Sequence, residues 1–314
     1  MNKISVIGAS ILDVTGLPNE NLIKGDSNPG HIFITPGGVG RNIAENLTLL
    51  GIDIEMFTAL GNDQWGKILS DFCHNSGIKI SKSVRSDSMP TALYLSINNF
   101  QKNLELAVVN TDITEEITPE FIEKNYDEII KSNLIVAETN LTKDTLKYIS
   151  EKFKNIPVFL DLVSVIKAKK VKDFIGSFHT IKPNIAEAEM LTGIKMNSTK
   201  DLLKMSDYFI EKGVKQVFIT MGKKGCFYSN QLEKGIIEGI SIEALNASGA
   251  GDAYISGVAF CYLKNKDVKS SAIFGTAMSL AAVMDKNSVN TNITENYIEN
   301  IINKYDICSK NILI

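Results

Sequence analysis

The chain is 314 residues long and carries 33 Lys and Arg against 36 Asp and Glu, a formal charge of −3. With 44% hydrophobic and 22% charged residues it holds enough apolar material for a packed core, which excludes disorder as the main state. It lacks the basic excess of a nucleic-acid or membrane surface. At roughly 100–200 residues per domain the length fits one large domain or two unequal ones.

The opening run Lys3–Ile7 is short, β-branched and followed by Gly8, the pattern of a buried strand. It is too short for the core of a signal peptide. A polar stretch follows, with a strand-like run at His31–Thr35. The first regular helix begins near Arg41: Ile43, Leu47 and Leu50 share one face and Gly51 closes it. Ile52–Leu60 is strand-like. Thr91–Asn98 and Leu104–Val109 are strand candidates joined by a polar segment, which predicts an antiparallel hairpin. Leu134–Ala137, Val158–Asp161, His179–Lys182 and Gln216–Thr220 then alternate with helical patterns. That rhythm predicts an α/β fold with a mostly parallel sheet covered on both faces. The whole of 1–314 reads as one such domain, with small strand insertions at about 15–36 and 85–111. Those insertions fit a flap at the carboxyl edge of the sheet, where α/β proteins bind ligands.

Met278–Met284, the richest apolar segment, falls far below the ~20 residues that span a bilayer. Cys73, Cys226, Cys261 and Cys308 form no Cys-x-x-Cys unit and do not cluster with His31, His74 or His179. Neither a disulfide framework nor a zinc site is expected, and the cytoplasm is the expected compartment.

The strongest chemical signal is Asn246-Ala247-Ser248-Gly249-Ala250-Gly251-Asp252-Ala253. A Gly/Ala-rich turn leads into a helical pattern, so the first backbone N–H groups stay uncovered and form an anion site with the helix dipole. Asp252 lies in that first turn. A carboxylate beside an anion cradle suits phosphoryl transfer: Gly249, Ala250 and Gly251 hold the moving phosphate, and Asp252 accepts the proton of the attacking hydroxyl. A plain acidic residue at the start of a close-packed helix gives the same local pattern. Two look-alikes fail. A dinucleotide fingerprint would need glycine where Tyr254 stands, and Gly61–Ile68 resembles a Walker loop but ends on Ile68, which offers magnesium no hydroxyl.

Pro36-Gly37-Gly38-Val39-Gly40-Arg41-Asn42 allows a polar ligand close to the backbone. Asn42 can pair with a sugar diol, or it can sit near a helix cap. Asp13 reads as a hydroxyl acceptor or as a solvated loop residue. Asn184 and Glu187, after a strand, read as a capping box or as groups near Mg²⁺ waters and phosphate oxygens. Thr220 and Gly222 leave another strand end and read as a nucleotide contact or a hairpin turn.

Taken together and in this order, these motifs resemble the ribokinase-like (PfkB-type) carbohydrate kinase family over essentially the whole chain. The resemblance implies a three-layer α/β fold, a β lid over the sugar, ATP, Mg²⁺ and a homodimer formed through the lids. It gives Asp252 the role of base and Gly249, Ala250 and Gly251 the anion hole. It assigns Asn184 and Glu187 to phosphate and magnesium, Thr220 and Gly222 to ATP phosphates, and Asp13, Gly37, Gly38 and Asn42 to sugar hydroxyls. Glu138 resembles an acidic sugar contact, and Asn287 an adenine-pocket residue. Many members carry Asp-Thr where this chain has Asn246-Ala247, so dependence on K⁺ is left open. Segments 25–30, 36–47 and 161–167 resemble the subgroup that phosphorylates pseudouridine, in which Asn28, Ser164 and Lys167 would read a uracil edge. A ribokinase, an adenosine or inosine kinase, and a non-catalytic sugar- or nucleotide-binding module stay as alternatives.

Overall fold

The computed structural model describes residues 2–310. In chain order the strands are β1 (Lys3–Ile7), β2 (Ile11–Pro18), β3 (Gly30–Gly37), β4 (Asp53–Phe57), β5 (Ala59–Gly61), β6 (Val84–Ser86), β7 (Leu93–Asn98) and β8 (Leu104–Asn110). They continue with β9 (Leu134–Glu138), β10 (Val158–Asp161), β11 (Thr180–Lys182), β12 (Gln216–Thr220), β13 (Gly225–Ser229), β14 (Lys234–Glu238) and β15 (Ser309–Lys310).

Nine of them form the main sheet in the order β15-β14-β13-β12-β11-β10-β9-β1-β4. The six strands from β12 to β4 in that order run parallel, and β13, β14 and β15 add an antiparallel edge. The parallel strands are short apolar runs because helices cover both faces. On one face Ile43, Leu47, Val258, Ala259, Phe274 and Ile298 pack from the helices Val39–Leu49, Ala250–Leu263, Val268–Val283 and Glu295–Lys304. On the other, Ile122, Leu146, Ile149, Leu191, Leu202 and Phe209 pack from helices drawn from 119–212. The expected three-layer α/β architecture is therefore the one observed. No helix among the described residues is long and apolar enough to cross a membrane.

The second sheet has the order β3-β2-β7-β8. The hairpin expected between 91 and 109 is present as β7 and β8, antiparallel with a bulge at Ile97/Asn98. Two details depart from the sequence reading. β2 gave no strand signal, because Asp13, Thr15 and Gly16 break the apolar alternation and its partner β7 comes some eighty residues later. The expected single strand 52–60 is split into β4 and β5, and β5 turns away from the main sheet to pair with β6. Gly61–Ile68 is a strand end and a helix start capped by Asp63, whose carboxylate accepts the Gly66 N–H at 2.7 Å.

Candidate active site

Parallel strands all deliver their carboxyl ends to one edge of the sheet. There Glu138, Asp161 and Lys182 end three adjacent strands in register, Asp161 opposite Glu138 on one side and Lys182 on the other. All three are buried. Lys182 Nζ lies 3.1 Å from Asp161 Oδ2. Burial works to neutralise Lys182, but the Asp161, Glu187 and Asp252 carboxylates outweigh it and hold the ammonium above its ordinary value.

The helix Ala250–Leu263 starts at this edge. Its cap, Gly249, has φ 80°, and a Cβ there would come 2.0 Å from the Ser288 carbonyl oxygen. Only glycine fits the turn that aims the free N–H groups of 250–252 into the cleft. Asp252, at the third position of the helix, is 8% exposed. Its Oδ2 accepts a hydrogen bond from Asn42 Nδ2 at 2.7 Å. The Asn42 amide is oriented in turn, because its Oδ1 accepts from the buried Arg41 guanidinium. Arg41 also pairs with Glu45 and donates to the Pro36 carbonyl at 2.8 Å. Burial is the largest influence on Asp252 and the Asp161 carboxylate adds to it; Asn42 and Lys182 oppose both, and the carboxyl is raised to about 7.

The Gly37 segment brings β3 against β2. A Cβ on Gly37 would lie 2.3 Å from Asp13 Oδ2, and one on Gly38, at φ 96°, would lie 2.6 Å from the Ala9 carbonyl oxygen. Burial raises Asp13 to about 6 against the opposing Arg41 charge. Asp13, Gly37, Gly38, Asn42 and Asp252 thus form one continuous group.

A second group meets it at Gly251. Asn184, Thr220, Gly222, Ala250 and Gly251 line a cavity of about 360 Å³ whose far end is apolar, with Ile240, Leu280 and Val283. Asn184 and Thr220 are bridged across the strand ends. The capping box is present: Asn184 Oδ1 accepts the Glu187 N–H and Glu187 Oε2 accepts the Asn184 N–H, each at 2.9 Å. Each side chain spends one polar atom on the cap, which leaves Glu187 Oε1 and Asn184 Nδ2 available. A larger open groove of about 600 Å³, beside His74 and Arg85, touches none of these residues.

Five expected residues sit outside these two groups. Glu138 is fully enclosed, and its oxygens accept the Ala9 N–H at 2.6 Å and the Asn140 N–H at 2.5 Å. It ties β1 to β9. Ser164 caps the short helix Val165–Ala168, and Lys167 donates to Asn140 Oδ1. Asn28 folds back on its own loop. Its Oδ1 accepts the Ile23 N–H at 2.7 Å, and its Nδ2 donates to the Ile23 and Asp26 carbonyls. Both amide hydrogens are held by its own loop, which leaves one acceptor site on Oδ1. Asn287 is exposed and lies outside the residues that line the cavity.

Lys182, Asp161 and Arg41 are the participants that sequence reading passed over. The retrievable signal was their position, since Asp161 and Lys182 end predicted parallel strands and Arg41 adjoins Asn42.

The sequence pattern of pfkB family carbohydrate kinases matches residues 1–295. A pseudouridine kinase of Escherichia coli (strain K12) is 35% identical over 281 residues, covering 89% of this chain and 90% of that protein. A ribokinase of Haemophilus influenzae is 26% identical over 257 residues, 81% of this chain and 82% of that one. A carbohydrate kinase structure from Agrobacterium tumefaciens superposes with a TM-score of 0.86 at 25% identity, covering 96% of this chain and 97% of that one. With its fold and its helix-start cleft already in view, the chain belongs to the pfkB family of carbohydrate kinases.

Proposed function

We propose that this kinase transfers the γ-phosphoryl group of ATP to the 5′-hydroxyl of pseudouridine, giving pseudouridine 5′-phosphate and ADP. The observation that carries the reaction is the buried Asp252 carboxylate, held by Asn42 at the uncovered start of the helix Ala250–Leu263. The observation that favours the substrate is the 35% identity, over nine-tenths of both chains, to a pseudouridine kinase.

Asp252 accepts the hydroxyl proton as that oxygen forms its bond to phosphorus and the bond to the ADP oxygen breaks. The carboxyl then returns its proton to water. The N–H groups of Ala250, Gly251 and Asp252 face the charge that develops, which is where fixed dipoles lower a barrier most. Asp13 and the Gly37-Gly38 backbone orient the sugar, and Asn184, Thr220 and Gly222 orient the nucleotide. The free oxygen of Glu187 fits Mg²⁺, a hard cation that keeps most of its waters and needs one or two carboxylates beside the phosphates. Bound there, the ion neutralises phosphate charge. Lys167, which donates to Asn140 Oδ1, and Ser164 are the side chains we assign to the base.

We also read the outer face of the β3-β2-β7-β8 sheet as the contact with a second copy of the chain, and the cytoplasm as the compartment. Ile34, Val14, Leu95 and Val108 form one cross-strand row on that face, and Ile32, Ile97 and Leu106 extend the next. Ile32 is 74% exposed and Val108 60%, an apolar area that a lone chain leaves uncovered.

The test is ADP formation with MgATP over pseudouridine, uridine, ribose, adenosine and inosine, with the position of the phosphate read by ³¹P NMR. Pseudouridine is expected to give the highest kcat/KM and a 5′-monoester. A preference for free ribose or a purine nucleoside overturns the substrate, and no turnover with any of them overturns the kinase chemistry.

A further inference from the structure

We propose that Lys182 is a catalytic residue of this kinase, a buried cation that meets the transferring phosphoryl group at the start of the helix Ala250–Leu263. The proposal rests on the kinase reading above and adds a residue that none of the motifs assigned.

Lys182 ends β11, and Pro183 follows it, keeping the chain extended as it leaves the sheet. The side chain passes under the helix start. A Cβ on Gly251 would stand only 3.0 Å from Lys182 Nζ, so the glycine at that position leaves the ammonium open to whatever the 250–252 amides bind. The side chain is 8% exposed, and Asp161 Oδ2 anchors it at 3.1 Å.

A buried lysine with one carboxylate partner would be an ordinary structural pair. Here one ammonium is shared among the carboxylates of Asp161, Glu187 and Asp252, and its side towards Gly251 is left open. A polyphosphate entering beside Gly251 would meet it there. The ammonium and the helix N–H groups are positive features that converge on that spot. During transfer the substrate hydroxyl loses its proton to Asp252, the oxygen–phosphorus bond forms and the bond to the ADP oxygen breaks. Lys182 keeps its proton throughout and shares its three donors between Asp161 and the phosphoryl oxygens. Lysine suits this better than arginine, because a compact point charge on a flexible stem can follow a moving group.

The proposal predicts that Lys182 senses the γ-phosphoryl group and not the rest of the nucleotide. Binding of MgADP and of the non-hydrolysable Mg-β,γ-methylene-ATP is measured by calorimetry on wild type and on Lys182→Met, with no nucleoside present. The outcome is therefore independent of whether pseudouridine is the substrate. The analogue should bind about 10–100-fold more weakly to the variant, the loss of one charge-assisted hydrogen bond, while MgADP changes by less than about threefold. In turnover assays, with whichever alcohol the substrate panel selects, kcat should fall about 10²–10³-fold. If the unpaired Asp161 unfolds the single variant, the same measurements are made on Lys182→Met/Asp161→Leu, since a neutral apolar pair restores a packed interior. Equal losses for both nucleotides, no loss for either, or a double variant with kcat within about threefold of wild type would each overturn the assignment.

Discussion

At the floor of the cleft, Glu138, Asp161 and Lys182 end neighbouring strands, buried and in register, with Asp252 and Glu187 arriving from two helix starts. In the lid, Ile32, Ile34, Leu95, Leu106 and Val108 stand exposed on a sheet of four strands. The floor therefore keeps charges where water cannot relax them, and the lid keeps apolar groups where nothing in the chain covers them. Each arrangement is unfavourable for an isolated folded chain, and on the proposed reading each becomes favourable once its counterpart is bound, a phosphate below and a second copy above. The floor should accordingly set the rate and its pH dependence, and the lid should set assembly and grip on the substrate.

The comparison breaks first at Asp252. Asp252→Asn should lower kcat by about 10²–10⁴-fold, the usual contribution of a positioned base, with a smaller change in the nucleoside KM. The same substitution should stabilise the protein at pH 8. The folded carboxyl is raised from 3.8 to about 7, so the folded state binds the proton more tightly than the unfolded chain does. Its contribution to stability is therefore lost as pH rises through that window. A higher melting midpoint for Asp252→Asn at pH 8, with the gap narrowing as pH falls below about 7 and closing only near pH 4, is expected. Near-normal turnover, or a variant less stable at pH 8, would remove Asp252 from its role.

Wild type tests the same carboxylate without mutation. Because the base must be ionised to accept a proton, kcat/KM should fall about tenfold per unit as pH drops below about 7. A profile flat down to pH 5 would mean that the floor does not hold its acid in the state described.

How much of this was readable from sequence follows the same division. The short parallel strands and the glycine-led helix start were legible because burial on both faces forces continuous apolar runs and a free helix end forces small residues. The capping box at Asn184 and Glu187 was legible as one of two readings, and both side chains keep a polar atom spare. The lid strand β2 was not legible, since it puts Asp13 and Thr15 towards one side and Val14 towards the other over a short, glycine-interrupted run. Lys182 reads as a solvated lysine until carboxylates from separate elements are brought around it. The loop contacts of Asn28 were not legible either, since an asparagine in a polar loop can bond its own backbone or a ligand and the sequence does not choose between them.

Asn42 links the two regions, since it leaves the Gly37-Gly38 turn at the base of the lid and donates to Asp252 at 2.7 Å. Asn42→Leu removes a donor that favours the ionised acid. The acid limb should move to higher pH, and kcat at pH 7 should fall about 10–100-fold, the worth of one hydrogen bond to a charged group. A drop of that size with an unmoved acid limb would show that Asn42 only shapes the turn.

The smallest effect on chemistry and the largest on assembly should come from the lid. Ile34→Lys/Val108→Lys puts two charges on the same cross-strand row, where side chains share a face. Like charges brought together across two copies repel, and the apolar area they replaced no longer drives association. Light scattering should therefore find a dimer for wild type and a monomer for the variant. Both positions lie on the face opposite Asp13, so Asp252 and its partners stay untouched and kcat should stay within about threefold, the range of a surface change. The nucleoside KM should rise, since a lid without its counterpart closes less often over the cleft. If the variant remains dimeric, the copies meet elsewhere and the apolar lid face needs another occupant. If it is monomeric and kcat collapses with KM unchanged, the lid is acting on the phosphoryl transfer itself, and the separation of floor and lid fails.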